Sequence, residues 1–263
     1  MSTPSHRPPL AHDDGRVACD GPTKRLLDCL LAAILLVFTL PIMLIVALLV
    51  RLTSWGPAIY SQTRSGRNGK PFRIYKFRTM WHNCEKRSGA CWSMPGDPRI
   101  TPVGRILRIT HLDELPQLFN VLLGQMSLVG PRPERPEFLP QLAQSIPGYM
   151  DRLLVRPGVT GLAQVQLPAD TDLDSVRRKL TYDLWYIRNR TLWLDLRLIA
   201  CTAMKVLLVP EHLSCRWFGI PGAAVVESAN DDRVEETRCS LEATVVHRNK
   251  PDTEVEFQLE AVP

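Results

Sequence analysis

The chain has 263 residues, 45% hydrophobic and 22% charged, with a net charge of +5. That length holds one or two domains, and that composition excludes a chain disordered throughout. The charge is uneven: residues 224–263 carry ten acids against four bases, which leaves +11 on the preceding 223 residues, a balance suited to nucleic acid, nucleotide or anionic lipid.

Seven cysteines stand at irregular spacings with no C-x-x-C pair (Cys19, Cys29, Cys84, Cys91, Cys201, Cys215, Cys239). This argues against a disulfide framework and for a reducing compartment. His82, Cys84 and Cys91 fit no standard zinc spacing.

Residues 1–22 are polar and proline-rich and read as a flexible tail. Cys29–Val50 then gives 22 residues without a charge, about 33 Å as a helix and enough to cross a bilayer core. No small-residue cleavage site follows, which speaks against a signal peptide. Two topologies are open. A single-pass anchor is the simpler. A re-entrant helix is favoured by Pro41 in mid-run, which removes a helix hydrogen bond, and by basic flanks on both sides (Lys24 and Arg25; Arg51, Arg64, Arg67 and Lys70).

Ala58–Met80 reads as a β-hairpin, with a glycine-rich turn at Ser65–Gly69 and a second strand around Phe72–Phe77. Lys76 and Arg78, two apart on a strand, are expected to point the same way. From Arg64 to Arg108 eleven Lys or Arg meet two acids, which suits a solvated basic face or a headgroup-binding surface.

In "THLDELPQLFNVLLGQMSLVGPRPE" (Thr110–Glu134) leucines recur at helical period and Pro116 belongs in a first turn, so Asp113 and Glu114 sit near a helix start. The plain reading makes Asp113 an N-cap and Glu114 a partner of the helix dipole. The chemical reading starts from geometry: adjacent helical side chains diverge by about 100°, so the two carboxylates would do different jobs. One could attack phosphorus while the other orients a metal or a proton. Lys76, Arg78, Arg105, Arg108, Arg132 and Arg156, with Mg2+, could neutralise the phosphate charge. Arg132 stands between Pro131 and Pro133, which fix the backbone around it and lower the entropy lost on gripping a phosphate. "RPGVTGLAQV" (Arg156–Val165) reads equally as a substrate loop offering Thr160 and Gln164 or as a plain tight turn.

Asp174–Arg190 has helical spacing. Leu192–Val209, apolar apart from Asp195, Arg197 and Lys205, suits the membrane–water interface or a buried core. Beyond Pro221 the sequence reads as an acidic, mobile tail.

Together, "KRLLDCLLA", "GRNGKPFRIYKFRTM", the segment around "THLDELPQ" and "GPRPE", "RPGVTGLAQV" and "YDLWYI…LWLDLRLI" resemble the bacterial sugar transferases, the monotopic phosphoglycosyl transferases, over about 180 residues. The resemblance implies a mostly helical α+β fold. A re-entrant membrane helix (23–52) broken at Pro41 leads into an interfacial catalytic domain (53–220) with a small hairpin and amphipathic helices, flanked by tails at 1–22 and 221–263. It implies transfer of a hexose-1-phosphate from a UDP-sugar to undecaprenyl phosphate at the cytoplasmic face of the bacterial inner membrane, releasing UMP. This is the first membrane step of exopolysaccharide, capsule or O-antigen synthesis. The implied mechanism is ping-pong: Asp113 attacks to give a phosphosugar-aspartate with Mg2+ at the same residue, Glu114 assists, and Lys76, Arg108 and Arg132 contact phosphate. No large multi-span segment precedes the helix, so the chain resembles the minimal form. It departs from the usual pattern at Ser65, where many members have an apolar residue, and at Thr39, where relatives often have serine beside the proline. A catalytically silent membrane scaffold is the main rival. No nucleic-acid module is evident. The sugar and homo-oligomerisation stay open.

Overall fold

The computed structural model describes residues 21–84, 96–168, 170 and 172–229. Cys91, part of the zinc pattern considered above, lies outside them, as do residues 1–20 and most of the acidic tail. A compact unit runs to Gly222. Of the second unit only residues 223–229, a helical segment, are described.

Helix α1 (Pro22–Thr53) begins on proline, whose missing N–H is no loss in a first turn. It continues past Pro41 rather than ending there. Beside the proline, the Thr39 hydroxyl donates to Leu35 O at 2.7 Å, the back-bonding that eases bending of a helix. By length and composition α1 can cross a membrane. Its residues divide sharply, however. Asp28, Ala32, Met43, Val46 and Val50 are buried and share one face, whereas Val37, Phe38 and Leu44 are largely exposed.

That buried face meets the unit at both ends of α1. Lys24 Nζ donates to Asp195 Oδ2 at 2.6 Å, and Arg25 Nη2 donates to Leu122 O at 2.8 Å. Asp28 accepts from Ser127 Oγ at 2.8 Å and from the Leu128 amide at 3.2 Å. Lys24 and Arg25, read from sequence as membrane-flanking charges, therefore act as rivets between α1 and the unit. Toward the other end, Met43, Val46 and Val50 pack with Phe77 and Leu107 in one apolar cluster.

The hairpin forms as expected. Strands β1 (Ile59–Ser65) and β2 (Pro71–Phe77) pair antiparallel, with Tyr60 opposite Lys76, Gln62 opposite Ile74 and Arg64 opposite Phe72. Asn68 (φ 56°) and Gly69 (φ 72°) take the left-handed conformations that a tight connection demands. Helix α2 (Pro102–Ile109) is capped by the Thr101 hydroxyl, which accepts from Gly104 N at 2.9 Å. Gly104 is required there, because a Cβ would lie 2.0 Å from Thr79 O.

A 3-10 turn (Leu112–Glu114) leads into helix α3 (Gln117–Leu122). Asn120 docks α3 on the hairpin: its Oδ1 accepts from the Tyr75 amide at 3.1 Å and its Nδ2 donates to Arg73 O at 2.7 Å, so the free edge of β2 is satisfied by a side chain. A second two-stranded sheet, not foreseen from sequence, pairs β3 (Ser127–Val129) in parallel with β4 (Gly158–Thr160).

Helix α4 (Leu139–Ser145), a 3-10 turn (Tyr149–Leu154) and helix α5 (Leu162–Gln166) flank this sheet in sequence. Helix α6 (Leu173–Asn189) is held at its start by a capping box of Asp172 and Ser175. Helices α7 (Leu192–Val206) and α8 (Glu211–Trp217) close the unit. On α7, Leu194 and Leu198 are buried while Trp193 is 68% exposed, so one face meets the core and the other does not. The described residues are mostly helical, with two small sheets.

Candidate active site

The acidic pair does not start a regular helix. His111 precedes it in the left-handed conformation (φ 55°), and the 3-10 turn then carries Asp113 and Glu114. Asp113 is therefore no N-cap; Pro116 takes that position for α3. The tight turn points the two carboxylates into different surroundings. Glu114 Oε1 accepts from Lys76 Nζ at 2.7 Å and from Arg132 Nη2 at 2.7 Å. Among the described residues, no hydrogen bond or ion pair reaches the Asp113 carboxylate, although the residue is only 8% exposed.

These settings separate the two acids. Burial opposes the Glu114 charge, but Arg132 and Lys76 outweigh it and hold its carboxyl well below the usual range. Burial, then the charge of Glu114, pushes Asp113 up to about 6, against the pull of Lys76, Arg132 and Arg108. One acid is clamped and its charged form favoured. The other has no hydrogen-bonded partner among the described residues and its carboxyl is pushed up, a condition associated with functional carboxylates.

Both line a cavity of about 690 Å3, together with Lys76, Arg108, Arg132 and His111. Each cation arrives from a different element. Lys76 comes from β2, on the face it shares with Tyr60, Gln62 and Arg64. Arg108 comes from the last turn of α2, its Nε donating to Thr79 Oγ1 at 2.9 Å. The loop carrying Arg132 is braced from below: buried Arg152 donates to Arg132 O at 3.0 Å and pairs with Asp183 at 2.7 Å.

Not every residue singled out in the sequence acts on this cavity alone. Arg78 lines it with Lys76 but is also tied to the end of α1. It is buried, and its Nη2 donates to Ser54 O and Ser54 Oγ, both at 2.7 Å, and to Val50 O at 3.3 Å. Through Nη2 its guanidinium ties down the end of α1, while its buried Nε and Nη1 have no hydrogen-bond partner among the described residues. We expect Arg78→Ala to lower stability by roughly 2–3 kcal/mol, the usual loss of charged hydrogen bonds. Thermal unfolding in detergent reads this. An unchanged melting curve with a weakened KM would restore a substrate role.

Arg105 is exposed on α2 and does not line the cavity. Arg156 Nε donates to Gly124 O at 3.0 Å, Thr160 Oγ1 bonds Thr202 Oγ1 at 2.6 Å, and Gln164 Nε2 donates to Val159 O at 2.9 Å. None of these three residues lines the cavity, and each bonds within the fold. A Cβ at Gly158 would lie 2.1 Å from Gly130 N, which explains that glycine by strand packing. Sequence reasoning missed Tyr60, Gln62, Arg64, Glu134 and His111 as cavity residues. The alternation of β1 opposite Lys76 was the signal available for the first three.

The Mg2+ expectation can be tested against this geometry. Among the described residues no group of three or more His, Cys, Asp or Glu could hold a metal ion. Mg2+ does not need one: it is usually held by one or two carboxylates, substrate phosphates and waters. A bare carboxylate at Asp113, in a cavity lined by phosphate-matching cations, fits that mode.

An acid with no hydrogen-bonded partner among the described residues lies beside a clamped one, with cations from three elements around them, in a cavity suited to an anion. The sequence matches the bacterial sugar transferase family over residues 19–209, and the chain belongs to that family. It is 46% identical over 184 residues to a UDP-N-acetylgalactosamine-undecaprenyl-phosphate N-acetylgalactosaminephosphotransferase of Aeromonas hydrophila, covering 70% of this chain and 43% of that protein. It is 45% identical over 184 residues to a UDP-glucose:undecaprenyl-phosphate glucose-1-phosphate transferase of Klebsiella pneumoniae (69% of this chain, 39% of that protein). It is 45% identical over 194 residues to a transferase of the same name from Caulobacter vibrioides (73% and 72%). The chain therefore spans less than half the length of the first two.

Proposed function

We propose that the protein transfers a hexose-1-phosphate from a UDP-sugar to undecaprenyl phosphate, releasing UMP, as the first membrane step of surface polysaccharide assembly. The observation that carries this is the division of the acidic pair, with Asp113 free of hydrogen-bonded partners among the described residues and Glu114 clamped by Lys76 and Arg132. A carboxylate free of partners is a competent nucleophile, and one locked between cations fixes those cations in place.

In the first half-reaction an Asp113 oxygen forms a bond to the sugar-bearing phosphorus. The bond from that phosphorus to the bridging oxygen breaks, and UMP leaves with the electron pair. In the second, an oxygen of the lipid phosphate attacks the same phosphorus, and Asp113 leaves as carboxylate. No proton need be gained or lost. Lys76, Arg108 and Arg132 offset the charge that builds on the phosphoryl oxygens, where positioning and electrostatics do most of the work. Mg2+ held by Asp113 would add a Lewis acid for those oxygens.

The membrane setting is part of the proposal. Both ends of α1 contact one unit, as Arg25 and Asp28 do near its start and Met43 to Val50 near its end. This supports a helix that enters and leaves on the cytoplasmic side over one that carries its ends to opposite faces. Such a helix holds the cavity at the depth of the lipid phosphate, within reach of a soluble donor.

The test is UMP release by the full-length protein in lipid, with UDP-hexoses, undecaprenyl phosphate and Mg2+. No release with any donor would leave the scaffold reading in its place. A pH dependence follows from Asp113. Its carboxyl is pushed up to about 6, and attack requires the charged form. The single-turnover rate of UMP release should therefore rise about tenfold per pH unit below that value and level off above it. A flat profile between pH 5 and pH 8 opposes attack by Asp113.

A further inference from the structure

The cavity extends from Asp113 in two directions of contrasting chemistry. One arm, with Pro57, Trp81 and His82, adjoins the end of α1. The other follows β1, whose start is tied to β2 near α1 by the Arg78 amide on Ala58 O (2.8 Å) and whose end is tied to the Arg132 loop by the Ser65 amide on Glu134 O (2.8 Å). Tyr60, Gln62 and Arg64 share the face of Lys76, so each stands about 7 Å beyond the last as the arm leaves the reacting centre.

We infer that this second arm holds the sugar ring of the donor and selects it. The inference rests on the transferase reading and deepens it. Displacement at phosphorus runs with the attacking and leaving groups roughly in line. Asp113 enters opposite the departing UMP, and the lipid phosphate must then enter opposite Asp113, from the side UMP has vacated. Nucleotide and lipid phosphate therefore use one arm in turn, and the sugar, retained through both steps, needs the other. Among the described residues the arm with Pro57 and His82 is the one that meets Arg51 and Trp55 at the end of the apolar helix, so the lipid and UMP take that arm and the sugar takes the arm along β1.

The side chains there suit a hexose. Arg64 Nη2 donates to Gln62 Oε1 at 2.8 Å, which fixes the Gln62 amide and leaves its NH2, among the described residues, without a protein acceptor. Arg64 also donates to Pro133 O at 3.2 Å and lies 3.6 Å from the Glu134 carboxylate, so the wall is anchored to the loop of Arg132. A fixed amide donor and a carboxylate acceptor match hydroxyls that both accept and donate. Tyr60, 40% exposed, adds a ring face for the apolar side of a sugar. A site that hydrogen-bonds a given hydroxyl rejects a substrate that misplaces it, because a buried polar group is then left unpaired.

The experiment compares wild type with Gln62→Ala across UDP-glucose, UDP-galactose and their N-acetylated counterparts, reading UMP release. We expect the kcat/KM ratio between donors to change at least about tenfold, while the KM for undecaprenyl phosphate and inhibition by UMP stay within about twofold. If Gln62→Ala fails to fold, Gln62→Glu, which keeps an acceptor for Arg64, reads the same ratio. Unchanged donor ratios in an active variant overturn the sugar assignment alone. Loss of UMP inhibition in step with donor KM overturns it too, by placing the nucleoside in this arm. A wild type that turns over no donor instead removes the transferase reading beneath it.

Discussion

Asp113→Asn should abolish turnover, lowering UMP release and sugar-phosphate transfer by roughly four to six powers of ten, the scale on which a covalent nucleophile is lost. The substitution keeps shape and nearly keeps volume, so packing is not at issue. What changes is the oxygen that meets phosphorus. Among the described residues no cation is hydrogen-bonded to Asp113, and removing its charge strands no close ion pair there in the way that removing Glu114 would. The variant should therefore fold and still bind donor. Incubation with donor labelled in the sugar phosphate, followed by denaturation, should leave label on the wild-type polypeptide and none on the variant. A variant that still transfers sugar phosphate would refute the covalent route through Asp113.

Glu114→Gln should reduce the rate about 100- to 1000-fold, the range typical of a lost electrostatic element. The cause is indirect. Lys76 and Arg132 lose their shared anion, and Asp113, whose charge already interacts with both, remains beside them. A nucleophile drawn into an ion pair attacks less readily. The pH profile carries the sign of this effect. The charge of Glu114 raises the pKa of Asp113, so its removal should move the acid limb of the rate below the wild-type value of about 6. A rate loss with an unmoved acid limb would show that Glu114 acts in some other way, such as proton transfer.

The sequence disclosed those parts of the site that sit on local pattern. The β-hairpin, the apolar helix and the acidic pair with Arg132 were legible because alternation, an uncharged run and prolines around an arginine leave marks in the chain itself. Arg78 shows the limit of strand alternation, which orients a side chain but cannot say what else it meets: it lines the cavity and also holds the end of α1, 24 residues earlier. For Arg156, Thr160 and Gln164 a substrate loop and a tight turn stayed open, because glycine spacing permits close approach to a ligand or to a neighbouring strand alike, and Gly130 is such a neighbour. The 3-10 turn at Leu112–Glu114 was hidden by leucines whose period also fits an α-helix. The bare state of Asp113 depends on where Lys76 and Arg132 find their anion, which is a property of the folded chain.

With α1 set in the bilayer as proposed, the Arg78 contacts at its last turn would make the bilayer a mechanical input to the chemistry. Lys76 lies on β2, two residues before Arg78, so whatever tilts α1 would pull on the mount of a cavity cation. Hydrocarbon thickness sets such tilts at fractions of a kcal/mol per Å of mismatch. Membrane composition would then tune this protein as a tension on its scaffold, with no regulatory ligand involved.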